Sequence, residues 1–260
     1  MSANTSTNTS NKNTAATIKT VVLDIEGTTT DIKFVHQVLF PFARKYLRSY
    51  LQSHQKIPEV AAVISDVKKE LNDDASLTQV IDLLTQWIDE DKKATPLKTL
   101  QGLIWQQGYL SGELKSHLYD DVLPAMQQWH EQGIGLAIYS SGSVGAQKLL
   151  FGYTESGDLT PLLSHYFDTN VGHKQTMQAY INITKQLAQA PDELVFLSDV
   201  VGELDAAKAA GLRTIQLHRD GQPTGQHSIV NSFAQISLSA PNLSTLNLSA
   251  PNLLTTGEHS

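Results

Sequence analysis

Three short apolar runs, each stopping at an acid or a serine, constrain this chain more than any other feature. Val21-Val22-Leu23 stops at Asp24, the run 135–139 at Ser140-Ser141, and the run 194–197 at Ser198-Asp199. Runs without polar alternation are strands buried on both faces, the pattern of parallel sheets covered by helices. Helix-period stretches at 122–132, 144–151, 175–188 and 203–210 fall between or after them, and Gly211 stops the last. A short strand near Tyr166-Phe167 and another at 214–217 complete the alternation. The expected class is α/β, a doubly wound, Rossmann-like parallel sheet whose strands deliver their C-terminal ends to one crevice.

One stretch breaks the alternation. No strand pattern occurs from 33 to 120, where apolar residues instead recur at helical spacing: Val60, Ile64, Val67 and Leu71, then Leu77, Val80, Ile81, Leu84 and Ile88. A long helical stretch at 34–51 carries Pro41 as a kink or a start, and another at 97–109 follows Thr95-Pro96 as N-cap and first residue. Roughly 90 residues of helix is too much for one crossover, so an all-helical cap at 33–120 is expected within a core of 18–32 and 121–236. Residues 1–17 are nearly all Ser, Thr, Asn and Ala, and 237–260 holds two LSAPNL copies and one charge. Both read as low-complexity, disordered tails, the six leucines of the second leaving room for a docking role.

Composition narrows the function classes. A net charge of −7 and the lack of any Lys/Arg cluster argue against nucleic acid as a partner. With no cysteine, thiolate catalysis, disulfides and sulfur-ligated metals are excluded. The nine histidines show no HExxH spacing, so His36, His165 and His173 read as surface or hydrogen-bonded residues, and Trp87, Trp105 and Trp129 as core. No stretch is apolar enough to span a membrane or to lead secretion, so a soluble cytoplasmic protein is expected, nuclear as well in a eukaryote.

The strand ends carry the chemistry. Asp24 and Glu26 follow the first, Ser140 and Ser141 the second, and Asp199 the fourth; Glu203 lies one helical turn beyond Asp199, and Lys174 opens the helix after the third. Carboxylates brought that close either raise one another's pKa or recruit a cation. An all-oxygen set favours a hard cation, and carboxylates combined with substrate phosphate are the usual Mg²⁺ arrangement. Lys174 and the two serine hydroxyls supply the donors a phosphoryl group needs. Glu203 reads equally well as a helix-capping acid.

These strings resemble the four motifs of the haloacid dehalogenase superfamily, in order: DIEGTT, YSSGS, Lys174 and LSDVVGELDAAKAAG. The resemblance implies Asp24 as nucleophile, Glu26 as acid or base, Ser140, Ser141 and Lys174 on substrate phosphate, and Asp24, Glu26 and Asp199 around one Mg²⁺, residue 26 through its carbonyl. Glu26 replaces the more usual Asp. With DIEGTTTDIKFV, FDTNVGHK and FLSDVVGELDAA, that change is similar to the superfamily's enolase-phosphatases of methionine salvage. This implies a monomer whose small-molecule substrate, 2,3-diketo-5-methylthiopentyl 1-phosphate, is enolised and dephosphorylated to an acireductone. The longer Glu side chain reaches about 1.5 Å further than Asp, as proton removal from carbon would require. Another capped phosphatase or a phosphosugar mutase is the alternative. The stretch 109–113, rich in Gly and Ser, is the expected cap contact with the substrate chain.

Overall fold

The computed structural model describes residues 16–220 and 225–238. Six parallel strands form one sheet: β1 (Thr20–Leu23), β2 (Gly135–Tyr139), β3 (His165–Phe167), β4 (Leu194–Ser198), β5 (Arg213–Leu217) and β6 (Ser228–Val230), in the order 3-2-1-4-5-6. The order reverses between β1 and β4, the point at which open α/β sheets bind ligands. Leu23 pairs with Ile138 on one side and Leu197 on the other, so Asp24 and Ser198 end level on neighbouring strands, with Asp199 one residue beyond.

Alternation along β1 divides the core. Val21 and Leu23 point to a face packed with Trp129, Met126, Phe151 and Phe233, and Val22 to one packed with Tyr180, Phe196 and Leu204. Leu238 is buried on the first face, so the packed chain runs at least two residues past the expected core boundary at 236. At the other end, Arg213 donates to the Ala16 carbonyl. The rest of both expected tails lies outside the described residues.

Between β1 and β2 the chain forms α1 (Ile32–Phe34), a π-helical turn (Val35–Leu39), α2 (Phe40–His54), α3 (Pro58–Leu71), α4 (Leu77–Asp89), α5 (Thr95–Ser111) and then α6 (Val122–Glu131). The helices α2–α5 bury their own cluster, including Leu47, Leu51, Val67, Leu84, Trp87 and Ile104, apart from both sheet faces. Pro41 lies in the first turn of α2, as the start of a helix and not as a kink within one. The wide turn before it closes Phe40 N–H onto the Val35 carbonyl, and the proline then takes an early position in α2 where no donor is needed.

Several helix starts differ from expectation. The N-cap of α5 is Ala94, with Thr95 already helical. After α7 (Val144–Gly152), α8 (Met177–Leu187) begins three residues beyond Lys174, which therefore sits in the turn. The last α-helix among the described residues is α9 (Val201–Ala209), which begins at Val201 and not at 203. The stretch 109–113 is the last turn of α5 and its glycine stop; Tyr109 is buried against Ser116 and Tyr153, and Glu113 accepts from Tyr46 at 2.5 Å.

Candidate active site

Asp24 leaves β1 buried, and the loop after it is tied by its own hydroxyls. Thr29 Oγ1 donates to the Asp24 carbonyl at 3.1 Å, and the amides of residues 28–30 all reach the Ile25 carbonyl. Gly27 is required twice over. Its φ of +74° is in the left-handed region, and a Cβ there would lie 2.3 Å from Asp199 Oδ2. The loop backbone thus packs directly on the second acid.

Lys174 is the centre of the charge arrangement. Its ammonium bonds Asp24 Oδ1 and lies 2.7 Å from Glu203 Oε2, all three side chains being buried. The Tyr180 hydroxyl, from α8, donates to the Lys174 carbonyl at 2.7 Å and pins the turn. Burial alone would depress the ammonium, but Asp24 and Glu203 together raise its pKa above the ordinary lysine value. Glu203 therefore orients Lys174 and does not cap a helix. Its own pKa is pushed up to about 7, by burial first and Asp24 second, against the pull of Lys174.

Thr28 and Ser198 join the acids. The Thr28 hydroxyl stands 3.5 Å from Asp24 Oδ2 and 3.4 Å from Asp199 Oδ1, and accepts the Asp199 amide at 3.0 Å. Ser198 Oγ lies 3.4 Å from Asp24 Oδ2 and 3.1 Å from Glu203 Oε2. Neither residue stood out in the sequence, because a threonine in a turn and a serine before an acid are common; only the strand register places both hydroxyls between carboxylates. With Oδ1 engaged by Lys174, Oδ2 is the Asp24 oxygen left with only long, weak contacts.

On the β2 side, Ser140 is buried and its hydroxyl accepts the Gly142 amide at 3.1 Å, while Ser141 is exposed. Glu26 is reached by solvent, yet protein crowds it on most sides. Its pKa is raised by that desolvation and by Asp24, with Lys174, Lys93 and His36 pulling the other way. Asp199 is pushed up to about 6, again by burial first and then by Asp24. A cavity of about 320 Å³, bounded by Gly27, Asp31, Tyr119, Gln216 and Arg219, opens beside it.

The donor set fits a small hard cation. Two carboxylates face one hydroxyl, and a bound cation would offset both the burial and the Asp24 repulsion that raise Asp199. No group of three or more His, Cys, Asp or Glu able to hold a metal occurs among the described residues. A pair of carboxylates with main-chain, water and phosphate oxygens is nonetheless how Mg²⁺ is usually held.

Residues 18–211 match the haloacid dehalogenase-like hydrolase family. Enolase-phosphatase E1 of Citrobacter koseri is 50% identical over 222 residues, covering 85% of this chain and 97% of the relative. That of Serratia proteamaculans is 52% identical over 223 residues, covering 85% and 97%. This chain belongs to the enolase-phosphatase E1 family of haloacid dehalogenase-like hydrolases. Among solved structures, the UTR4 protein of Saccharomyces cerevisiae superposes with a TM-score of 0.72 at 31% identity, over 84% of this chain and all of that one. CbbY of Rhodobacter sphaeroides, bound to phosphate, shares only the fold, with a TM-score of 0.52 at 17% identity. The α/β sheet with a helical cap is thus the family's architecture in this chain.

Proposed function

We propose that the protein is the enolase-phosphatase of methionine salvage, a phosphoric monoester hydrolase. It enolises 2,3-diketo-5-methylthiopentyl 1-phosphate and then releases phosphate, leaving the acireductone 1,2-dihydroxy-3-keto-5-methylthiopentene. The observation that carries this reading is Glu26, solvent-reached and raised, two residues beyond an Asp24 whose Oδ1 is clamped by Lys174. Relatives at about half identity along nearly their whole length bear that name.

Glu26 removes the proton from the carbon that bears the phosphate ester. Asp24 Oδ2 then attacks phosphorus in line, the bond to the leaving oxygen breaks, and an aspartyl phosphate forms that water hydrolyses. Lys174 holds Oδ1 and, with Ser140 and Ser141, binds the phosphoryl oxygens. Mg²⁺, one per subunit and held by Asp24, Asp199 and the residue 26 carbonyl, would neutralise charge between nucleophile and phosphate. Thr28 keeps the two metal-side acids in register. We place the enzyme in the cytoplasm as a monomer; among the described residues no helix is long and apolar enough to cross a membrane.

A panel of phosphate esters tests the reading. Phosphate release from the diketone phosphate should exceed that from sugar phosphates and aryl phosphates, and Glu26→Asp should slow enolisation more than phosphate release. Preference for a sugar phosphate would favour the rival capped phosphatase or mutase.

A further inference from the structure

One residue on the buried face of α7 breaks the apolar pattern of that face. Leu150 and Phe151 pack into the sheet core, but the residue one turn before them is Gln147, only 1% exposed. Its side chain serves the loop between β2 and α7. Nε2 donates to the Gly142 carbonyl and to the Phe167 carbonyl, at 2.8 Å each, which spends both amide hydrogens. Carbonyls only accept, so the orientation of the amide is settled. Its Oε1 meets no hydrogen-bond partner among the described residues, and the polar end is held by its donors alone.

Those two carbonyls belong to a closed ring. Phe167, at the end of β3, also accepts the Ser140 N–H at 3.1 Å, and Ser140 Oγ accepts the Gly142 N–H at 3.1 Å. The ring runs from Ser140 through Gly142, Gln147 and Phe167 back to Ser140, and it staples the loop after β2 to the end of β3. Within it Ser140 Oγ is an acceptor, which leaves the hydroxyl proton for another partner. With the Gly142 carbonyl held on Gln147, the planar trans peptide turns the Ser143 N–H the opposite way. Ser143 in turn caps α7, its hydroxyl accepting the Ala146 amide at 3.2 Å. Two of the ring's four bonds come from Gln147, and without it the ring is open.

We propose that Gln147 is a positioning residue for phosphate binding: by closing this ring it holds the Ser140–Ser143 loop in the shape that receives the phosphoryl oxygens, without touching them. The inference rests on the reading above that Ser140 and Ser141 bind substrate phosphate. Without the Gln147 amide, the Gly142–Ser143 peptide is free to turn over and set a carbonyl oxygen, which repels an anion, where an N–H stood. The staple acts on Lys174 as well, because the chain runs on from Phe167 into the turn that carries it, so hydroxyl and ammonium share one frame. Donors fixed in advance need no rearrangement when the anion arrives.

The test uses the full chain with Mg²⁺ and reads KM for an aryl phosphate together with inhibition by inorganic phosphate. Gln147→Met keeps the length of the side chain and removes the donors; KM and the inhibition constant should rise together, at least about tenfold. Gln147→Glu sets a carboxylate against two carbonyls and should do the same, its deficit relative to the unaltered enzyme shrinking as pH falls and the carboxyl gains a proton to donate; it carries the test if the methionine variant does not fold. Leu150→Ala, one turn on, should lower the melting temperature and leave both constants unchanged. If Gln147→Met lowers the melting temperature but moves neither constant, or if Leu150→Ala moves them equally, Gln147 is packing alone and the inference is overturned. If Ser140→Ala leaves phosphate inhibition unchanged, the phosphate reading of the loop itself falls and the inference with it.

Discussion

At the scale of single residues, Gly27 and Asp199 make the sharpest demands. Gly27→Ala combines a left-handed backbone, costing about 1–3 kcal/mol, with a Cβ inside the Asp199 carboxylate. Asp199 must move, and misplacement of about 1 Å near the chemistry costs about 100-fold in rate. Phosphate release should fall by that order, and a thermal melt should show the smaller loss of stability. Asp199 also sets a pH dependence. Its folded-state pKa, about 6, lies above the ordinary 3.8, so the metal-free fold holds an extra proton between those values and loses that stabilisation as pH rises through 6. Added Mg²⁺ should therefore raise the melting temperature more at about pH 7.5 than at about pH 5, because metal and proton compete for one carboxylate.

At the scale of elements, Arg219, just past β5, ties the segment that enters the cap to the segment that leaves it. Its guanidinium donates twice to the Thr28 carbonyl, at 2.8 and 3.2 Å, and bonds Asp121 at 2.8 Å before α6, with Tyr119 and Phe233 against its faces. Asp121 further accepts from the Ser232 hydroxyl and the Phe233 amide. Burial pushes the Asp121 pKa up, but these donors, Arg219 foremost, hold it below its ordinary value. Arg219→Ala strands a largely buried carboxylate and should cost about 3 kcal/mol, read from the denaturant midpoint. Arg219→Lys keeps the charge but loses the two-handed grip on the Thr28 carbonyl. It should raise the half-saturating Mg²⁺ concentration, since Thr28 spaces Asp24 from Asp199. No pattern in the sequence marks Arg219, a lone arginine in a loop, whereas β1, β2 and β4 are legible because each carries an unbroken apolar run that stops at an acid or a serine. β6 is not legible for the opposite reason: three residues at an edge carry no period. Glu203 was ambiguous because a first-turn acid caps helices as readily as it pairs with a lysine from another loop.

At the scale of the whole molecule, two units divide the labour. The sheet brings Asp24, Ser140, Ser198 and Asp199 to one edge through strand register, with Lys174 arriving from the turn after β3. The cap packs its own core between β1 and β2. Four acids beside one lysine would repel an anionic substrate, and a bound cation would relieve that repulsion. The most direct measurement follows diketone phosphate with simultaneous ultraviolet absorbance and phosphate detection, in Mg²⁺ and in chelator. With Mg²⁺, enediol absorbance and one phosphate per substrate consumed are expected, and chelator should stop phosphate release. Absence of phosphate release with Mg²⁺ present, or release with no enediol formed, would contradict a single crevice that runs both reactions.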